Sequence, residues 1–274
     1  MVAGLGLSVR PSELNFKKME ARSKHYFERM GLFELLGLDS EMHIKTHESS
    51  GRFIPIQKIE DNPQLDRFIT EMIPLLHKKP EEVESIKYVI SELVRNVFEH
   101  AKSPVGAIVC AQYYKDSNII RIGVVDRGIG IKESLTRCYH PEDDLSSIRL
   151  ALEPGITGTT RKIGGTGENA GAGLFFIKSI AKVNRDFFMM YSGNGLYKLL
   201  KTPLHKEIRL PSDPFKDNHS KGNNLPHWQG TAVGIDISLG SHEKFNSLLD
   251  LIRTVYRKGR KERTQQKYKG AKFI

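Results

Sequence analysis

From Pro80 to Ala101 the apolar residues Val83, Ile86, Ile90, Leu93 and Val97 recur at helical spacing, and directly after them the period changes. Two short apolar runs follow, about 107–114 and 119–125, separated by Lys115-Asp116-Ser117-Asn118, a turn-forming set. A one-sided helix this long has to bury its stripe on something, and the adjacent hairpin offers the face of a sheet. The order helix, two strands, long connection, helix, then strands predicts an α+β sandwich with helices on one face of the sheet.

The remaining segments fit around that unit. Ser12 can cap a helix running to about Met30, with Phe16, Met19, Phe27 and Met30 as its apolar stripe and Gly31 as its stop. Residues 39–52 read as a polar loop. Phe53-Ile54-Pro55-Ile56 reads as a short edge strand, because proline cannot donate to a central ladder. Asn62-Pro63 opens another helix, carrying Leu65, Phe68, Ile69, Met72 and Ile73 before Pro74 disturbs it. The stretch 132–170 is rich in Gly, Thr, Pro and charge and reads as irregular, a length usually reserved for a functional loop. A helix resumes near Ala172 and ends before Asp186, and a hairpin turns at Gly193-Asn194-Gly195. Thr231–Leu239 alternates Val233, Ile235, Ile237 and Leu239 as a half-buried strand does. A last helix covers about 243–256. The polar insertion 212–224 has no reading of its own, and no internal repeat is present. The organisation expected is a helical extension over 1–78, the sandwich over 79–241, and a helix with a basic tail over 242–274.

Composition narrows the setting. At 274 residues and 39% hydrophobic, the chain has enough apolar material for a substantial core. No apolar run approaches the roughly 18 residues of a membrane span, and Met1–Ser8 makes a poor signal peptide. With two cysteines, Cys110 and Cys138, no disulfide framework is expected, and a reducing cytoplasm is the default. The net charge of +10 is concentrated: residues 257–274 hold eight Lys or Arg against one acid, Glu262, which accounts for +7. That tail is either a solvated end or a contact for nucleic acid or another acidic surface.

Three short segments carry chemistry. In Ser91-Glu92-Leu93-Val94-Arg95-Asn96-Val97-Phe98-Glu99-His100, the residues Glu92, Asn96 and His100 fall every four positions, on the helix side opposite Leu93 and Val97. Taken alone they describe the wet face of any amphipathic helix. Val124-Val125-Asp126-Arg127-Gly128-Ile129-Gly130 places a carboxylate at the end of a strand, followed by glycines that let backbone approach a ligand. Such an aspartate can accept from the exocyclic amino group of adenine. Guanine presents an acceptor there and would leave the carboxylate repelled. Gly164-Gly165-Thr166-Gly167-Glu168-Asn169-Ala170-Gly171-Ala172-Gly173-Leu174 runs into a helix, whose first amides can cradle phosphate. It is not a Walker loop, since Leu174-Phe175 stand where Lys-Ser/Thr would be needed. A dinucleotide fingerprint fails too, because no strand precedes Gly165.

In this order and spacing the three segments, over roughly residues 80–240, resemble the GHKL (histidine-kinase-like, Bergerat-fold) ATPase superfamily. Glu92-x-x-x-Asn96 looks like its N box, Asp126-x-Gly128-x-Gly130 its first glycine box, and Gly171-x-Gly173-Leu174 its second. Gly230-Thr231 resembles the box that closes the adenine pocket. The resemblance implies a two-layer sandwich with a mixed, mainly antiparallel sheet, and ATP and Mg²⁺ as ligands. It implies that Asn96 holds Mg²⁺, that Asp126 reads adenine with support from Thr231, and that amides near Gly171 and Gly173 bind phosphate. Residues 132–170 would then form a lid whose Arg161 and Lys162 reach the phosphates, and Glu92 would act as general base.

Function stays divided at this level. An ATPase or serine/threonine protein kinase similar to the stand-alone anti-sigma-type kinases, acting on an unidentified partner protein, stands first. An ATP-gated interaction protein and a nucleic-acid-associated ATPase using residues 257–274 are the alternatives, and a homodimer is left open. No phosphoacceptor segment is expected, and His25 reads as structural. His43 and His47 have zinc-like spacing but no further ligands nearby.

Overall fold

The computed structural model of the chain describes residues 1–14, 24–38, 51–73, 77–158, 171–239 and 245–269. Its strands are β1 (Phe53–Ile59), β2 (Ala107–Tyr114), β3 (Ile119–Val125), β4 (Phe188–Gly193), β5 (Gly195–Leu199), β6 (His219–Gly222) and β7 (Trp228–Ser238). The helices are α1 (Val2–Gly6), α2 (Lys24–Arg29), α3 (Leu32–Leu35), α4 (Asn62–Arg67), α5 (Pro80–Asn96), α6 (Gly130–Thr136), α7 (Asp144–Ala151), α8 (Gly173–Val183) and α9 (Phe245–Lys269). The strands form one sheet in the order β1-β2-β3-β7-β4-β5-β6. Every pairing is antiparallel, so the expected mixed sheet is corrected to an antiparallel one among the described strands. The reason is that β2–β3, β4–β5 and β5–β6 are each joined by a return connection, while β7 enters between β3 and β4 running opposite to both.

Alternation divides the sheet into two faces. Val109, Ile122, Val124, Ile235 and Met190 point to one side, where Ile86, Ile90 and Leu93 of α5, Ile177 and Ile180 of α8, and Ile252 and Tyr256 of α9 close the main core. Each fully buried aliphatic side chain there contributes about 1.5–3 kcal/mol. Ile108, one residue out of phase with Val109, faces the other way and packs with Ala3, Leu32 and Leu36. Gly4 lies against the Trp228 ring, where an added Cβ would stand 3.2 Å away. Helices therefore do not occupy one face alone: α1 and α3 cover part of the second.

Four segments differ from expectation. The helix expected from Ser12 is replaced at its start by a 3-10 turn, Pro11–Glu13, with α2 found at Lys24–Arg29 and residues 15–23 outside the described set. Pro55 does not end β1; the strand continues to Ile59 across a register shift between Ile54 and Gln57. The stretch read as irregular contains α6 and α7, and α7 begins in a capping box: Asp143 accepts from the Ser146 amide while the Ser146 hydroxyl accepts from the Asp143 amide. The basic tail is not a tail up to Lys269; α9 carries straight through it, seating Gly259 against Pro154 and Ser212 and pairing Arg263 with Glu153. Of the other expected features, His43, His47 and the segment 39–50 lie outside the described residues.

The insertion at 212–224 acquires a structural role. Its β6 adds to the sheet edge at β5, and the Tyr197, Phe215 and His219 rings stack on one another. Asp213 receives a two-pronged bond from Arg149 at 2.6 and 3.0 Å. Asp217 takes the fully buried Lys178 ammonium at 2.7 Å, with Lys182 at 3.3 Å. Burial pulls the Lys178 pKa down and the Asp217 carboxylate opposes that pull. A buried pair contributes little over an apolar substitute, but losing one partner leaves an uncompensated charge. Asp217→Ala should therefore destabilise the protein by about 3–5 kcal/mol in urea titrations. A loss below about 1 kcal/mol would mean that water reaches Lys178.

Candidate functional site

At its C-terminal end α5 does not simply stop. Val97–Ala101 form a π-helical turn, closed by Lys102 in the left-handed region at φ +51°. Turns of this kind occur often at functional sites. The last carbonyls of a helix have no partner within it, and here Ala101 O, the last of the turn, accepts from the Ile129 amide at 2.7 Å. Gly128 packs directly on that carbonyl, and any Cβ at this position would overlap it. The end of α5 and the loop after β3 are thus clamped together, with Asn96 at the start of the π turn and Asp126 three residues before Ile129.

The clamp opens into a cleft of about 290 Å³. That is near the lower end of the roughly 300–1,000 Å³ of small-molecule sites. Glu92, Asn96 and His100 of α5 and its π turn line one wall, and Val124, Asp126, Thr231 and Met190 the sheet end. Gly130, Ile131 and Ser134 at the start of α6 form a second wall, and Gly171, Gly173 and Leu174 at the start of α8 a third. Eight of the residues expected to bind a nucleotide or act on it, Glu92, Asn96, Asp126, Gly130, Gly171, Gly173, Leu174 and Thr231, therefore share one cavity. Gly128 is not on its surface; it serves by close packing and by donating its amide to Asp126 Oδ1 at 2.7 Å. Arg161 and Lys162, with Gly164–Ala170 of the glycine-rich run, lie outside the described residues.

Asp126 is 3% exposed. Burial pushes its carboxyl up to about 6, against the opposing pull of the Gly128 amide and of Thr231. Its own amide donates to Thr231 O at 2.9 Å, which locks the β3 end to β7. Gly230, at φ +103°, makes room for this arrangement: a Cβ there would stand 2.7 Å from Asp126 Oδ1. A residue that sequence reasoning missed completes the bracket. Ser192 of β4 donates to Gly230 O at 2.8 Å and accepts from the Ile131 amide at 3.0 Å, tying α6 to β7. The signal available was a lone serine closing an apolar strand run, Phe188-Met189-Met190-Tyr191-Ser192.

Glu92 faces the start of α8. A Cβ on Gly173 would collide with Glu92 Oε2, so only glycine admits the carboxylate this close to the helix. Burial raises the Glu92 pKa, with Arg95 opposing. Ala172 precedes α8 without a side-chain cap, and the first amides of any helix lack partners within it. Gly171, at φ +63°, turns the chain into the helix while its carbonyl accepts from the Gly155 amide at 3.0 Å. Asn96 Nδ2 is buried without a hydrogen-bond partner among the described residues. Such a group costs about 1–3 kcal/mol if nothing satisfies it. His100 also lines the cleft, its pKa lowered by burial, with Glu99 at 3.7 Å.

A hard divalent cation fits this donor set in a limited way. Among the described residues no group of three His, Cys, Asp or Glu converges, so protein ligands alone would not hold one. An amide oxygen from Asn96, with water and ligand oxygens completing the shell, is the arrangement magnesium ordinarily accepts. Neither a scan against protein-family models nor a search of the curated proteins finds a match to this chain. No helix among the described residues is long and apolar enough to cross a membrane.

The burial of Asp126 carries a stability consequence. A carboxyl raised from 3.8 to about 6 gives its full contribution below 3.8 and loses it as pH rises through 6, so the ionised form is a liability at neutral pH. Asp126→Asn should stabilise the free protein at pH 7.5 by about 1–3 kcal/mol. The gain should shrink toward pH 4. Thermal unfolding at the two pH values checks this, and an equal or lower melting temperature for the variant at pH 7.5 would contradict it.

Proposed function

We propose that this chain is a Mg-ATP-binding protein of the Bergerat (GHKL) type that catalyses phosphoryl transfer, either to water or to a serine or threonine of a partner protein. One observation carries the reading: a single cleft gathers a buried strand-end carboxylate, a half-buried helix carboxylate, a buried amide without a partner among the described residues and the uncapped start of a glycine-led helix. Each suits a different part of a nucleoside triphosphate, and together they run from a dry end to a polar one.

At the dry end Asp126 accepts the exocyclic amino group of adenine, and Thr231 beside it adds a hydroxyl. The ring lies between Val124 and Met190 on the sheet side and Leu93 and Val97 on the helix side, all of which line the cleft. At the other end the α8 amides hold phosphate oxygens, and the absent side chains at Gly171 and Gly173 let the Ile156 carbonyl and the Glu92 carboxylate pack against the turn that leads into them. Asn96 would hold the cation through its side-chain oxygen, and the cation would offset charge on the phosphates. Glu92 holds and removes the proton of the attacking oxygen; its raised pKa makes it a stronger base than an exposed glutamate. Water exclusion falls to Ile131, Leu135 and Ile156, which wall the cleft.

A second reading has its own support. Arg257, Lys258, Arg260 and Lys261 are exposed on α9, on the side away from buried Ile252 and Tyr256, and this cationic face suits a nucleic acid bound by an ATPase. Because Gly259 and Arg263 pack on the body, glutamine at those four exposed positions is a cleaner probe than truncation. Loss of salt-sensitive DNA or RNA retention by that variant would favour this reading.

Glu92→Gln should keep ATP affinity within about threefold while lowering turnover by two or more orders of magnitude. With γ-labelled ATP and cell extract, label on protein identifies a kinase and free phosphate an ATPase. No label in either pool would leave an ATP-gated binder and remove the catalytic assignment of Glu92. Asp126→Asn should abolish ATP binding by calorimetry, and wild-type affinity should fall as pH drops through about 6, where the acceptor protonates.

A further inference from the structure

A second cavity, of about 590 Å³, lies at the opposite end of the sheet from the cleft just described. Ile108 pairs with Val125 beside Asp126, whereas Gln112 and Tyr113 line the second cavity. Five residues of strand separate Ile108 from Tyr113, about 17 Å. Four permanent cations border this cavity: Arg29 from the end of α2, Arg52 before β1, Lys78 ahead of α5, and Lys115 in the β2–β3 turn. His77 joins them, and among the described residues no carboxylate lines the walls.

That absence sets the cavity apart from several charged contacts of this protein. Elsewhere among the described residues Arg121 meets Asp236, Arg149 meets Asp213, Lys178 meets Asp217 and Arg263 meets Glu153, while Arg185 is held by backbone carbonyls instead. Arg29, Arg52, Lys78 and Lys115 have no such partner among the described residues, although four different segments bring them to one place. Lys78 is held, with its ammonium 3.2 Å above the Tyr113 ring centre. The Arg52 carbonyl accepts from the Tyr113 amide at 2.8 Å, so the backbone carrying the guanidinium is fixed to β2. Like charges converging on a concave, partly fixed surface raise the local potential and concentrate anions. Arg29 and Arg52 add planar donors suited to phosphate oxygens.

We propose that this cavity is a binding site for a small polyanion carrying two or more phosphate groups, separate from the nucleotide cleft. Its volume admits a ligand of that size, and four cations exceed what a single carboxylate or monophosphate would use. The proposal does not rest on the nucleotide reading.

Calorimetric titration of the full chain with inorganic pyrophosphate at low salt tests it. The wild type should bind, and the Arg52→Gln/Lys78→Gln double variant should bind at least tenfold more weakly with an unchanged melting temperature. Arg209→Gln, at an exposed cation that lines neither cavity, should leave pyrophosphate affinity within twofold. Lys115→Gln, in an exposed turn, should by itself weaken binding several-fold, which keeps the test intact if the double variant fails to fold. No pyrophosphate binding by the wild type at millimolar concentration, affinity insensitive to all three cation substitutions, or an equal loss on Arg209→Gln would each overturn the proposal.

Discussion

Much of this molecule depends on one close approach, the Gly128 backbone resting on the Ala101 carbonyl, with the Ile129 amide bonded to that same oxygen at 2.7 Å. The contact exists because the helical run ends at Ala101, which leaves that carbonyl without a partner inside the helix, and because position 128 has no side chain to fend it off. Through it a long core helix of the sandwich is registered against the end of β3. Asn96 and Asp126, thirty positions apart in the chain, are then fixed on one cleft. Move either partner and the cleft walls would no longer face each other.

Charge burial is the second organising constraint. Asp126 and Glu92 are held where desolvation raises their pKa values, which costs folding free energy at neutral pH. The cost is met by the core on the helix face of the sheet and by ties around the cleft, notably Ser192 between α6 and β7. Lys178, also buried, shows the other use of a charge. Its partner Asp217 belongs to the insertion, so this ion pair fastens a late polar segment onto the helix that begins at Gly173. The insertion thereby braces α8 rather than decorating the surface.

The fold is also closed more tightly at its C-terminus than charge alone suggests. Exposed Arg257, Lys258, Arg260 and Lys261 alternate along α9 with Tyr256, Gly259 and Arg263, which pack on the body. Through the pair between Arg263 and Glu153, the same helix braces the segment that follows α7 while presenting cations to solvent.

Local pattern alone determined a good deal. The helical stripe of α5, the strands β2 and β3 with their turn, the hairpin at Gly193 and the alternation of β7 were all legible, because each is set by a period of 3.6 or 2 that neighbouring residues enforce. The glycine and carboxylate spacings likewise marked Glu92, Asn96, Asp126, Gly173 and Thr231 as candidates, since each stands at a helix face, a strand end or a helix start that local pattern reveals. Tertiary structure decided the rest. Whether α1 and α3 cover the second sheet face, whether Asp217 meets Lys178, and whether four cations without carboxylate partners among the described residues surround one hollow all depend on contacts between distant segments, which no local period encodes. The run 257–269 shows the limit plainly: its charges suggested a solvated end or a contact for an acidic surface, yet helix was chosen because Tyr256, Gly259 and Arg263 found a surface to pack on.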